Sequence, residues 1–194
     1  MDSLLVELQT ILEPLNPATL FPRQQPLEVE LGCGDASFLV AYAGSRPDLN
    51  FIGVERLFGR LAKLDKKGRR TGLTNTRGVR IESAYFLEYL LPPGSVSALH
   101  IYFPDPWPKK KHARHRLINE RFPLLAKRVL APRGIVYLRT DDRDYFLQMN
   151  EVFGAAAAYQ KTVTPPDLAA ITTDFEREFN AQGIPTQRVA YQLK

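Results

Sequence analysis

The run Leu27-Glu28-Val29-Glu30-Leu31 is short, partly alternating and closed by Gly32, so it reads as a strand. It passes through Cys33-Gly34-Asp35, which is turn chemistry, into Ala36 to Ala43, where Phe38, Leu39 and Tyr42 fall at helical spacing. The unit then recurs. Arg46-Pro47-Asp48 makes a turn, Asn50 to Val54 a second strand, and Leu57, Leu61 and Leu64 one face of a helix whose other face is mostly Arg and Lys. Val79-Arg80-Ile81 is expected as a third strand and Val96 to Tyr102 as a fourth. A helix holding Leu124, Leu125, Val129 and Leu130 is expected to close at the turn Ala131 to Gly134, before a fifth strand, Ile135 to Leu138. Asp141 or Asp142 can cap a helix over Arg143 to Phe153, and Val189 to Leu193 reads as a terminal strand. Strands alternating with helices predict an α/β fold: an open, mostly parallel sheet with helices on both faces.

Other classes are excluded by simple counts. The 194 residues suit one domain, with residues 1–26 as a short N-terminal extension. Residues 44% hydrophobic and 24% charged match an ordinary globular chain rather than a disordered or fibrous one. The start, MDSLLVELQTILEPL, lacks both the basic opening and the cleavage site of a secretory leader, and no apolar run approaches the ~20 residues of a membrane helix. A cytoplasmic location is expected. A single cysteine, Cys33, makes no internal disulfide, and no His, Cys or Asp cluster has metal-ligand spacing, so no metal is expected. The net charge of +5 is modest, but its cations gather in Arg56 to Arg80 and Lys109 to Arg128.

In open α/β sheets ligands bind at the carboxyl ends of the strands, so chemistry should sit there. The first strand ends in Glu30-Leu31-Gly32-Cys33-Gly34, whose glycines permit a sharp turn and close approach of a ligand. The second ends in Glu55, about twenty residues on, where an acid accepts ribose hydroxyls in nucleotide-binding folds. A dinucleotide wants a third glycine where this chain has Ser37, and Glu30 and Asp35 suit a pyrophosphate poorly. S-adenosylmethionine carries two positive centres and no phosphate, so these carboxylates favour it.

The fourth strand ends in Phe103-Pro104-Asp105-Pro106-Trp107, with prolines bracing an acid at the binding edge. A tryptophan more often fills a core than stacks on a base. Here, however, Lys109, Lys110, Lys111, His112, Arg114, His115 and Arg116 follow, a set able to neutralise phosphates, which favours nucleic acid. Thr140-Asp141-Asp142 ends the fifth strand, where an acid can meet a base's amino group or cap a helix. His100 reads as a satisfied sheet residue and Cys33 as packing.

These residues resemble the bacterial tRNA (guanine-N7-)-methyltransferases. The likeness rests on Glu30-Leu31-Gly32-Cys33-Gly34, Gly53-Val54-Glu55, Phe103 to His112, Thr140-Asp141 and Thr173-Asp174-Phe175-Glu176, in that order. It implies a class I methyltransferase, Rossmann-like sheet, seven-stranded with the last strand antiparallel, and methyl transfer from S-adenosylmethionine to N7 of the variable-loop guanine of tRNA. It also implies that Glu30, Gly32, Gly34 and Glu55 bind the cofactor, with Asp105 both cofactor-binding and catalytic. Lys109, Asp141, Thr173 and Glu176 would contact the substrate, and Lys110, Lys111, Arg114 and Arg116 the RNA backbone. Where the family has Asp-Ala after the third strand this chain reads Glu82-Ser83-Ala84, putting Ser83 at the cofactor position. Three other readings stay open: a methyltransferase acting on another nucleic-acid base, a nicotinamide oxidoreductase, and a noncatalytic RNA-binding relative. Nothing in the sequence chooses between monomer and homodimer.

Overall fold

A computed structural model describes residues 2–107 and 114–194. In chain order the elements are β1 (Leu5–Val6), α1 (Pro17–Leu20), β2 (Leu27–Leu31), α2 (Ser37–Ser45), β3 (Asn50–Val54) and α3 (Phe58–Arg70). Then come β4 (Thr76–Val79), α4 (Ser83–Tyr85) running into a π-helical turn (Phe86–Leu90), β5 (Val96–Tyr102), α5 (Phe122–Val129) and β6 (Leu130–Thr140). The last are α6 (Arg143–Ala155), β7 (Tyr159–Thr162), α7 (Pro166–Ala170), α8 (Asp174–Ala181) and β8 (Gln187–Leu193). The strands form one sheet ordered β1-β4-β3-β2-β5-β6-β8-β7. β8 runs antiparallel to both its neighbours, and the remaining pairs are parallel.

Every residue of β2 and β3 is buried, as strands covered on both faces must be. Side-chain alternation divides the core in two. Val29, Ile52, Leu99 and Val136 pack on one face under α5, α6 and the π-helical turn. Phe51, Ala98, Tyr102 and Tyr137 pack on the other, against Phe38 and Leu39 of α2, Leu61 and Leu64 of α3, and Leu168 of α7. By the same period of two, Glu28 and Glu30 point to the α2 side. His100 is satisfied there: its Nε2 lies 2.7 Å from Glu28 Oε2, its Nδ1 2.8 Å from the Tyr102 hydroxyl, and its ring stacks on Tyr137.

Several features differ from the sequence reading. The third strand is Thr76–Val79 and leaves Arg80 and Ile81 beyond its end. Leu57 precedes α3 and is half exposed, because the helical face begins only at Leu61. Leu124 faces solvent and Leu130 already belongs to β6; Ala131 to Gly134 form an irregularity inside that strand, since Val96 pairs with Leu130 and Ala98 with Ile135. Finally, the sheet has an eighth strand. Leu4 and Leu5 of the extension fit where glycines leave room: a Cβ on Gly68 would sit 2.5 Å from Leu4, and one on Gly78 2.9 Å from Leu5. Asp142 is the residue that caps α6, accepting the Tyr145 N–H at 2.7 Å. Among the described residues no helix is long and apolar enough to cross a membrane.

Gly53 is the closest fit near the strand ends, since an added Cβ would lie 2.6 Å from Leu39 Cδ2 and 2.8 Å from Leu64 Cδ1. Gly53→Ala is expected to destabilise the fold by about 1–3 kcal/mol through overpacking, read as a lower urea midpoint at unchanged slope.

Candidate active site at the strand ends

Residues following four neighbouring parallel strands meet around one cavity of about 290 Å3. Gly32 follows β2, Glu55 to Leu57 follow β3, Ile81 to Ser83 follow β4, and Phe103 to Asp105 with Trp107 follow β5. Strand order reverses between β2 and β5, the place where open α/β sheets leave a crevice. A larger groove of about 910 Å3 between α5 and α6 has neither the glycine turn nor the strand-end acids. We therefore place the site in the smaller cavity.

The turn after β2 is built for close approach. Gly32 and Gly34 hold φ of 73° and 54°, in the left-handed region that a side chain disfavours. The Gly32 and Cys33 N–H groups donate to the Val54 carbonyl, which ties the turn to β3. Glu55 locks it further, accepting the Gly34 N–H at 3.2 Å through Oε2 and the Leu57 N–H at 2.8 Å through Oε1. A carboxylate fixed by two backbone donors at a cavity wall can still accept ribose hydroxyls.

Glu30 lies behind this turn, 3% exposed, and its Oε2 has no hydrogen-bond partner among the described residues. Burial pushes its pKa well above the carboxylate range; nearby Arg139 opposes this, while Asp35 and Glu55 add to it. A buried carboxyl with one oxygen unpartnered among the described residues, beside a permissive glycine turn and with Asp35 and Glu55 near, fits a cationic, ribose-bearing cofactor. Glu82 and Ser83 both line the same cavity, and the Glu82 carboxylate also caps α4 by accepting the Ala84 and Tyr85 N–H groups. Cys33 is buried and its thiol is pushed up by burial, then by Glu30, which agrees with a packing role.

Asp105 is exposed at the cavity wall. Its loop is bounded by Phe103 and Trp107, both in the left-handed region at φ of 51° and 42°. Trp107 lies against the His115 ring at a 5.2 Å centroid distance. Lys109, Lys110, Lys111 and His112 lie outside the described residues. Arg114 is exposed, as a phosphate contact requires.

Arg116 corrects the expectation of an RNA contact. It is 8% exposed and turned inward, where its donors go to the Pro106 carbonyl and Gln148 and its guanidinium lies over Tyr145. Glu176 likewise departs from the expected substrate contact: it is fully buried, pairing with Arg139 at 3.0 Å and with Arg188. Thr173 caps α8, its hydroxyl accepting the Glu176 N–H at 2.8 Å. Asp141 follows β6, half-buried, and does not line the cavity.

Sequence reasoning missed Arg139. Its guanidinium donates to the carbonyls of Leu168 and Ile171 and to Glu176, and stacks 4.2 Å from the Tyr102 ring centroid. A cation inside the apolar run Val136-Tyr137-Leu138-Arg139 was the available signal. This hub brings α8 to the strand ends, where Phe175 meets Phe103 at 5.0 Å and the Asp174 N–H donates to Ser37 Oγ. Lys67 joins them, 2.7 Å from Asp35 and 3.7 Å from Asp174. Among the described residues no group of His, Cys, Asp and Glu is placed to hold a metal ion.

Two outcomes are expected. Glu176→Ala strands the buried Arg139 charge and should cost about 3–5 kcal/mol, measured by urea unfolding. Glu30→Gln should stabilise the cofactor-free protein at pH 7 and leave stability near pH 4 unchanged. With its folded pKa raised, Glu30 adds no pH-dependent cost below its unfolded pKa and progressively more as pH climbs towards the folded value.

A family model described as a putative methyltransferase matches residues 24–189. The chain is 39% identical over 150 residues to a tRNA (guanine-N(7)-)-methyltransferase of Chromohalobacter salexigens, covering 77% of this chain and 61% of that one. It is 32% identical over 179 residues to one of Syntrophotalea carbinolica (90% and 77%), and 34% identical over 152 residues to one of Geobacter metallireducens (78% and 72%). It thus spans about three fifths of the Chromohalobacter relative's length. Among solved structures, the 16S rRNA methyltransferase KamB superposes with a TM-score of 0.62 at 14% identity, over 88% of each chain. The [4+2]-cyclase SpnF does so at 0.59 and 14%, over 89% of this chain and 76% of its own. The fold therefore does not fix the reaction, whereas the family match and the sequence identity, with Glu55, Asp105 and the glycine turn in one crevice, show that the chain belongs to the tRNA (guanine-N(7)-)-methyltransferases.

Proposed function

We propose that the chain transfers a methyl group from S-adenosylmethionine to N7 of the variable-loop guanine of tRNA, forming 7-methylguanosine in the cytoplasm. The observation that carries this reading is the convergence of Gly32, Glu55, Ser83 and Asp105 on one strand-end cavity. The printed names of the relatives support the acceptor. Glu55 and Ser83 would hold the ribose and adenine end, and Glu30 with the Gly32 and Gly34 turn the aminoacyl end. When bound, the cofactor supplies an electrophilic methyl on a sulfonium.

Guanine N7 carries a lone pair and no proton, so the protein needs no base to free it. Positioning then dominates the rate. Asp105, exposed at the cavity wall, orients the purine through its N1–H and amino edge or offsets the positive charge that develops on the ring. Asp141, just after β6, and Thr173, at the start of α8, would be further substrate contacts outside the cavity itself. Lys109, Lys110, Lys111 and Arg114 would hold phosphates, joined by the cations of α3, of which Lys67 is already paired to Asp35. No metal is required of this chemistry.

Incubating labelled S-adenosylmethionine with unmodified tRNA should yield labelled 7-methylguanosine mapping to the variable loop, with full yield after exhaustive chelation. Label in another nucleoside would redirect the acceptor assignment. Asp105→Asn should lower turnover by about 10²-fold with tRNA affinity retained. Near-normal turnover would remove Asp105 from the mechanism. Reversing charge at Lys110, Lys111 and Arg114 should weaken tRNA binding and flatten its salt dependence.

A further inference from the structure

The loop carrying Asp105 is strained at both ends and held at its middle. Phe103 and Trp107 adopt left-handed φ, each immediately before a proline, and such positions cost about 1–3 kcal/mol apiece unless the surroundings enforce them. At the first end the Phe103 N–H donates to the Arg139 carbonyl at 2.8 Å. Beyond Asp105, the Pro106 carbonyl accepts Arg116 Nε at 2.6 Å. Among the described residues no side chain hydrogen-bonds the Asp105 carboxylate, so its place is set through the backbone on either side.

Arg116 is itself rigidly placed. Its Nη1 donates to Gln148 Oε1 at 2.6 Å, and its guanidinium lies 4.8 Å from the Tyr145 ring centroid. Gln148 in turn donates to the Ile118 carbonyl at 2.8 Å, and the Tyr145 hydroxyl accepts the Ile118 N–H at 2.9 Å. Gln148 and Tyr145 both stand on α6, so a chain of hydrogen bonds runs from that helix through Arg116 to the carbonyl next to Asp105. The same contacts make Arg116 unfit as a phosphate ligand: its planar fork is committed and it is 8% exposed.

We infer that Arg116 is a positioning residue, held by Gln148 and Tyr145 of α6, that fixes Asp105 through the Pro106 carbonyl. The inference rests on the proposed role of Asp105 and adds the device that orients it. Lysine cannot replace it, since an ammonium cannot bond Pro106 and Gln148 in the flat geometry that guanidinium gives.

Trp107 is the chain's only tryptophan and ends this loop, so its emission reports the clamp in the free protein, with no substrate present. Arg116→Lys and Gln148→Leu are expected to shift Trp107 emission and raise its quenching by acrylamide. Both should lower kcat for methyl transfer about 10- to 100-fold, with KM for tRNA within about twofold and the salt dependence of binding unchanged. Guanidinium ion at non-denaturing concentration should restore part of the turnover of Arg116→Ala and none of that of Asp105→Asn.

Unchanged Trp107 emission with unchanged kcat in Gln148→Leu, the milder variant, would overturn the clamp. So would an Arg116→Lys protein with normal emission, weaker tRNA binding and a salt slope reduced by about one, which is the behaviour of a phosphate contact. If the wild-type protein transfers no methyl group to tRNA, the functional reading fails, while the Trp107 measurement still decides whether the clamp exists.

Discussion

The ion pair between Arg139 and Glu176 joins the last quarter of the chain to the sheet. Both side chains are almost wholly buried, and Arg139 spends its remaining donors on the carbonyls that end α7. Desolvating two charges offsets much of their attraction, so the pair contributes less to net stability than to placement. It leaves α8 a single docking position. From that position follow the Thr173 cap, the contact of Phe175 with Phe103, and the Asp174 bond to Ser37 at the start of α2. Arg139 also accepts the Phe103 N–H through its own carbonyl, so one residue secures both the α8 flank and the entry to the Asp105 loop.

The glycine turn shows the opposite balance. Glu30 is buried without a partner for Oε2 among the described residues, and Asp35 and Glu55 crowd the same corner with negative charge. A fold selected only for stability would not keep such an arrangement, because an unpaired buried carboxyl costs free energy whichever protonation state it adopts. The cost falls where a cationic ligand would offset it. Strain at Phe103 and Trp107 belongs to the same pattern, since conformations that propensity disfavours collect where a reactive group must be held.

Much of the fold was legible because its signals are local. Strands β2, β3 and β5 match the runs read from alternation and glycine punctuation, and Asp142 caps α6 as its residue type allows. The misreadings share one cause. Leu57 and Leu130 extend a helical pattern past the true helix ends and Leu124 sits on the solvent face of α5, because apolar identity alone does not say which turn or face of a helix meets the sheet. The eighth strand was illegible because its two residues, Leu5 and Val6, pair with Gly78 and Val79, far along the chain, and Leu4 and Leu5 fit only where Gly68 and Gly78 leave room.

The sequence by itself determined the alternation of strands and helices, the left-handed turn at Gly32 and Gly34, and the presence of Glu30, Glu55, Ser83 and Asp105 at successive strand ends. Those properties depend on backbone permissiveness and on periodicities of two and 3.6 residues, which neighbours in the chain suffice to set. Tertiary structure alone decided which charges face water. Arg114 and Arg116 are two residues apart in one basic run, yet the first is exposed and the second is captured by Pro106, Gln148 and Tyr145. Glu176 reads like any acid near a helix start until Arg139 and Arg188 arrive from other strands. The direction of a long charged side chain is set by partners brought close only by folding.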